Sequence, residues 1–301
     1  MQQFPHPLII LDLNLSAFAD GVFVGFILST IFFGVTLLQA WNYALSNKDG
    51  WIMRTLVMAD ISSDWPHGTL HVMPVGGLVD ITTTSNNVLL LHTYLIQHFG
   101  NLLELTMANI SFIVEIALTA TVVFLVQLFF ASRVYILNHG DYRLPCAIVA
   151  TACLGFVCSC YAVSTEITHR EVADLTILPI KVTFILGQSL VTISDGITTL
   201  ALSVNFIQKR SGINTKNIIS ILESLLAAVV ARGVLVTVSN GILILLYILY
   251  PLKLYWLAVQ FMQSKLYIIT LRSYSFLTFS FLSCNVRFLF GTNTATHPEL
   301  E

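Results

Sequence analysis

Four charged side chains, Glu115, Asp195, Arg232 and Lys265, sit inside long apolar runs of this 301-residue chain. A charge at mid-bilayer costs roughly 2.5 to 3.5 kcal/mol on insertion scales, so such residues are paired or serve a site. Asp195 lies 11 residues before Phe206 and Arg232 lies 10 after Leu222, the inner ends of their runs. At 1.5 Å per residue both stand about 15 to 17 Å from the inner edge. Lys265 is near mid-bilayer too, and Glu115 nearer the outer third. Two acids and two bases can neutralise one another. Two chemistries follow: an inward-facing polar cluster that binds a small ligand or relays protons, and an ion-pair lock joining helices five, six and seven without a ligand.

Other candidate groups carry less. A mid-membrane lysine facing an acid permits an imine with a retinal-type aldehyde. The tryptophans are Trp41, Trp51, Trp65 and Trp256, none of them mid-span in the third or sixth run where a polyene would be sandwiched, so no cofactor is expected. His67 and His71 have the i, i+4 spacing of helical metal ligands, but Pro66, Gly68 and Pro74 oppose a helix and no third ligand is close, so no metal site is expected. Cys146, Cys153 and Cys160 repeat every seven residues on one helical face; thiolates are costly in apolar surroundings, and the stripe reads as packing. Gly21 and Gly25 form a small-xxx-small pair that admits a close helix, from this bundle or a second protomer. Phosphate-cradling, nucleophile-elbow and zinc-hydrolase motifs are missing, and His92 and His98 have no evident Ser or Cys partner, so the chain is not expected to be an enzyme.

The elements that must position these residues are membrane spans. The chain is 56% hydrophobic and 10% charged, with a mean hydropathy of +0.81, whereas water-soluble domains carry about 25% charge. A soluble enzyme is excluded. Fourteen Lys and Arg against 16 Asp and Glu give a net charge of −2, too even and sparse for a nucleic-acid face. Hydrocarbon offers no water to backbone N–H and C=O groups, so the runs must be helices; the alternating strands of about 10 residues that make a barrel are missing. The expected fold is all-α, one polytopic bundle of about seven spans over residues 1–301. The first twenty residues lack the basic region of a cleaved signal, so the amino terminus is expected to be retained.

Apolar runs place the first span at about Gly21 to Ala44, the third at Thr106 to Phe130 and the fourth at Pro145 to Val163. Three more follow at about Pro179 to Phe206, Leu222 to Leu249, and Leu254 past Phe281. The second crossing, between Trp51 and His98, is interrupted by ISSDWPHGTLHVMPVGG, with two prolines and three glycines. A clean helix is not expected through it, and the flanking pieces Ile52 to Ala59 and Val88 to Ile96 are each too short to cross.

With seven spans, one side collects Lys48, Arg54, Arg133, Arg143, Lys209, Arg210, Lys216 and Arg287, and the other Arg170, Lys181 and Lys253. Cytoplasmic loops retain Lys and Arg, so the amino terminus is expected outside and the carboxyl terminus inside. Asn14-Leu15-Ser16 is a glycosylation tripeptide on the outer tail, and residues 288–301 form a short cytosolic tail. The inner loop with Lys209, Arg210 and Lys216 suits anionic lipid and is where a cytosolic partner would dock. Expected partners are thus the lipid bilayer, a small ligand and a cytosolic partner at that loop, with no nucleic acid. Localisation is an integral position in the plasma membrane or an endomembrane.

Several motifs resemble a fungal, mainly basidiomycete, family of seven-span membrane proteins classed only as a domain of unknown function. They are Gly34-Val35-Thr36-Leu37-Leu38-Gln39, the segment Val126 to Tyr135 reading VQLFFASRVY, Asp195, Arg210-Ser211-Gly212 and Ser264-Lys265-Leu266-Tyr267. Asp80-Ile81-Thr82-Thr83 and His98-Phe99-Gly100-Asn101 match as well. The resemblance covers nearly the whole chain and implies architecture and lineage, with no activity. It matches Asp195 and Lys265, while Arg232 stands where the family has a small polar residue, so Asp195 with Lys265 is the pair it favours.

The function these features favour is a receptor-like sensor of unknown ligand. The third span ends in Ser132-Arg133-Val134-Tyr135 with no acid before the arginine, and no Asn-Pro-x-x-Tyr segment follows, so the likeness to heterotrimeric-G-protein receptors stops at architecture. The alternative is a small-solute or proton-coupled transporter using Glu115, Asp195 and Lys265. Compared with the resembling family, the chain has additional residues at about 60–79 and about 268–284, which favours in-frame retained introns over the alternatives for the first segment, a re-entrant loop lining a cavity or an ordinary extramembrane insertion. Full-length transcripts are expected to lack both segments; transcripts encoding both would contradict this.

Overall fold

The computed structural model describes residues 15–46, 72–97, 109–138, 141–168, 177–211, 216–251 and 255–291. Among them the secondary structure is helical throughout: α1 (Leu15–Ser46), α2 (Val72–His92) extended by a π-helical turn (Thr93–Gln97), α3 (Ile110–Leu137), α4 (Arg143–Thr168), α5 (Leu178–Ser211), α6 (Lys216–Leu249) and α7 (Tyr255–Gly291). Five of them, α1 and α3 to α6, are long and apolar enough to cross a membrane. They mark the chain as an integral membrane protein with an all-α fold. Large side chains on their outer faces, such as Leu38, Val157, Leu200 and Val238, are exposed and suited to lipid.

α2 and α7 fall short of that apolar standard because each carries buried polar groups. In place of the short apolar piece expected at Val88 to Ile96, α2 is one continuous helix. It starts at Val72, inside the interrupting stretch, and runs through Pro74, Gly76 and Gly77. Pro74 is tolerated there because the first four N–H groups of a helix have no partner in any case. With 21 residues and a 5-residue π turn, the segment reaches about 39 Å. Val88 to Ile96 is therefore the end of a longer helix. Residues 60–71 of the expected insertion lie outside the described residues, as do Asn14, His67 and His71. Residues 268–284 lie within continuous α7, where Ile268, Leu271 and Tyr274 join the core.

Successive helices pack in a ring that closes α7 on α1, while α7 also meets α2 and α3, and α3 meets α5. Two hydrophobic clusters reveal the chain direction. One gathers Val22, Phe112, Ile180 and Trp256 from the starts of α1, α3, α5 and α7 with Leu90 and Tyr247 from the ends of α2 and α6. The other gathers Val134 and Phe206 from the ends of α3 and α5, Leu222 from the start of α6, Ile148 near the start of α4, and Leu271 and Tyr274 further along α7. Helices therefore alternate in direction, as short connections in a bundle require.

Close approach sets several contacts. A Cβ on Gly25 would stand 2.5 Å from the Ala258 backbone, so Gly25 of the small-residue pair serves α7 of the same chain. A Cβ on Gly233 would collide with Thr199 across α5 and α6. Cys146, Cys153 and Cys160 correct the packing-stripe expectation: all three are exposed on the outer face of α4, and their thiols are free.

Gly25→Leu is expected to lower stability by about 1 to 3 kcal/mol, the range of forced overpacking. Gly34→Leu, where nothing lies within 4 Å, is expected to be near neutral. Thermal unfolding of the detergent-solubilised protein checks this; equal losses would contradict the α1–α7 contact.

Candidate functional site

The polar residues of α7 define the site. Gln260, Gln263, Ser264 and Lys265 follow one another within a turn and a half, and all are fully or almost fully buried. Polar groups this deeply buried are costly unless they are paired, so the helices that enclose α7 must also supply partners. Two clusters of charge anchor it.

The first joins α7 to α2 and α1. The Lys265 ammonium lies 2.6 Å from Asp80 Oδ1 and donates also to the Asp80 carbonyl at 2.9 Å and to the hydroxyls of Thr83 and Thr84 at 2.7 and 2.6 Å. Thr36 on α1 donates to the other Asp80 oxygen at 2.8 Å. Two turns on from Lys265, Arg272 donates to the Thr36 carbonyl at 2.7 Å, and Gln39 to the Ser273 hydroxyl at 3.0 Å. The Asp80, Thr83 and Thr84 spacing places three oxygens on one face of α2, which makes a cradle for an ammonium.

The second cluster joins α5, α6 and α7. Arg232 Nη2 lies 3.2 Å from Asp195 Oδ1, both side chains being almost wholly enclosed. The Tyr267 hydroxyl donates to the second Asp195 oxygen. The guanidinium also sits 3.5 Å from the centre of the Phe130 ring on α3, a cation–π contact that gains strength where water is excluded. Next to it, Gln127 donates to the Val191 carbonyl at 3.2 Å.

The four charges expected to form a cluster thus divide. Asp195 and Arg232 meet, as their shared depth requires. Lys265 does not pair with Asp195; this corrects the pairing favoured from the motifs, because Asp80 supplies the nearer carboxylate. Glu115 has no ion-pair partner within 4 Å among the described residues. It accepts from Asn86 at 3.4 Å and Thr119 at 3.3 Å, both neutral donors. In the basic loop region Arg210 pairs with Glu223 at 2.8 Å, half exposed. Lys209 and Lys216 lie at the end of α5 and the start of α6, and residues 212–215 are outside the described residues.

Asp80, Thr36, Tyr267 and Gln127 were not among the expected site residues. The i, i+3, i+4 spacing of Asp80, Thr83 and Thr84 is the signal the sequence carries, masked by the prolines and glycines just before it. Compared with family models, curated proteins and solved structures, the chain matches none.

Removing one partner of a buried ion pair leaves an uncompensated charge and costs about 3 to 5 kcal/mol, whereas removing both is far milder. Arg232→Met is therefore expected to lower the unfolding temperature sharply, and Asp195→Asn with Arg232→Met to recover most of it. A double variant no more stable than the single would contradict the pair.

Proposed function

We propose that the chain is a seven-span membrane protein of receptor-like topology, its amino terminus outside and carboxyl terminus inside, acting as a sensor in the plasma membrane or an endomembrane and not as an enzyme. The observation that carries this reading is the occupancy of Asp195. Both its oxygens are engaged, by Arg232 of α6 and Tyr267 of α7, which joins α5, α6 and α7 into one unit. A carrier needs a carboxylate that exchanges partners with a solute, whereas a sensor needs helices whose relative positions are held by a breakable contact.

The count of seven adds α2 and α7 to the five apolar helices, and is supported by their length and by the enclosure of their polar faces. Orientation is supported by the basic residues of the inner side. On the outer tail Asn14 is the proposed glycosylation site. Lys209, Arg210 and Lys216 are the proposed contact for a cytosolic partner and for anionic lipid. The motif residues Thr36, Asp80, Thr83, Asp195, Lys265 and Tyr267 all belong to the two charge clusters.

One observation favours the carrier reading. Glu115 is wholly buried with only neutral donors, the condition of a carboxyl able to take and release a proton.

Proteoliposomes of the purified protein are expected to show no solute-dependent or proton flux above empty vesicles. Capture of a cytosolic partner is expected to be lost when Lys209, Arg210 and Lys216 are replaced by alanine. Flux that disappears in Glu115→Gln would overturn the sensor in favour of the carrier.

A further inference from the structure

A cavity of about 30 Å³ lies among α3, α4, α5 and α7. No charged residue lines it. Its polar lining is dominated by four carboxamides, Gln127, Gln188, Gln260 and Gln263, with Thr119 and Thr183 beside them. Such a concentration of amides inside a membrane bundle is expensive unless each is satisfied. Two are not: the Oε1 atoms of Gln260 and Gln263 have no hydrogen-bond partner, although the residues are only 2% and 1% exposed. Gln263 spends its nitrogen on Asn240 Oδ1 at 2.5 Å and Gln188 Oε1 at 3.4 Å, which leaves the carbonyl oxygen for something else.

Those facts specify a ligand. Two unmet acceptors call for N–H or O–H donors. A lining without carboxylate or ammonium offers nothing to balance a full charge, so the ligand is uncharged. At roughly 10 to 15 Å³ per water the space holds two or three waters, so the ligand is a solute of only a few non-hydrogen atoms. The cavity also touches the second charge cluster: Gln127 lies beside Asp195, and Gln263 holds Asn240, which lies beside the Tyr267 hydroxyl.

We propose that this cavity binds a small uncharged solute bearing N–H or O–H donors, held by Gln260 and Gln263, and that occupancy is transmitted through Gln127 and Asn240 to Asp195, Arg232 and Tyr267. The inference deepens the sensor reading by giving its ligand class, and it is tested by binding alone, with neither flux nor a cytosolic partner. Failure here therefore leaves the sensor reading standing, and failure of that reading leaves the site standing.

Saturation-transfer NMR on the detergent-solubilised full chain provides the test. Acetamide has donors and four non-hydrogen atoms; dimethyl sulfoxide has the same number of non-hydrogen atoms and no donor. Acetamide is expected to give a saturable signal and dimethyl sulfoxide none. Gln260→Met, close in volume, is expected to bind acetamide about tenfold more weakly, the order of one lost hydrogen bond. Equal binding of the two probes, no acetamide signal, or an unchanged affinity in Gln260→Met would overturn the proposal. If Gln260→Met does not fold, the comparison of probes on the unaltered protein decides.

Discussion

A charge buried between helices has no solvent, and this constraint governs the whole arrangement around α7. Lys265 is wholly enclosed, so the fold must deliver an anion and further acceptors to it. Asp80, Thr83 and Thr84 do so from one face of α2, and Thr36 of α1 holds the remaining carboxylate oxygen. Once α7 carries such a polar face, the other helices must enclose it. It touches α1, α2, α3 and α6 along their packed faces and reaches α5 through Tyr267 and Gln263.

The two charge clusters sit on the same helix yet do different things. Asp80 with Lys265 fastens α7 to the first two helices. Asp195 with Arg232 and Tyr267 fastens it to α5 and α6, and the Phe130 ring brings α3 to the same point. The halves of the bundle are thus joined chiefly through α7, which makes that helix the element whose displacement both halves would register. Close-packed glycines reinforce the geometry: Gly25 lets α1 approach α7, and Gly233 lets α6 approach α5. An aromatic cluster of Phe112, Phe184, Tyr247 and Trp256 fills the end where α3, α5 and α7 begin.

Much of this was legible in the residues alone, and the misses have identifiable causes. Helices α3 to α6 are apolar on most faces, so their runs announce them, with boundaries shifted by a few polar residues that continue a helix beyond the hydrocarbon. Asp195 and Arg232 were placed together because depth along a straight helix follows from counting residues. Asp80 is not legible as a site because the prolines and glycines at 66–77 argue against a helix, whereas Pro74 falls in a first turn that needs no N–H. Lys265 was assigned to Asp195 because motif matching reports which residues recur and says nothing of which are adjacent. The cysteine stripe of α4 was read as internal because a one-sided repeat has the same period whether it faces protein or lipid.

The pairing of Lys265 with Asp80 is the central claim, and insertion of α7 reports on it directly. In the proposed orientation, a glycosylation acceptor placed in the tail after Gly291 distinguishes an inserted α7, whose tail would be cytosolic and unmodified, from a stranded one, whose tail would be lumenal and modified. The account predicts an unmodified tail in the unaltered chain, substantial modification in Asp80→Leu, and return to the unmodified form when Lys265→Met is added. A modified tail in the unaltered chain, or the same pattern in all three, would contradict it.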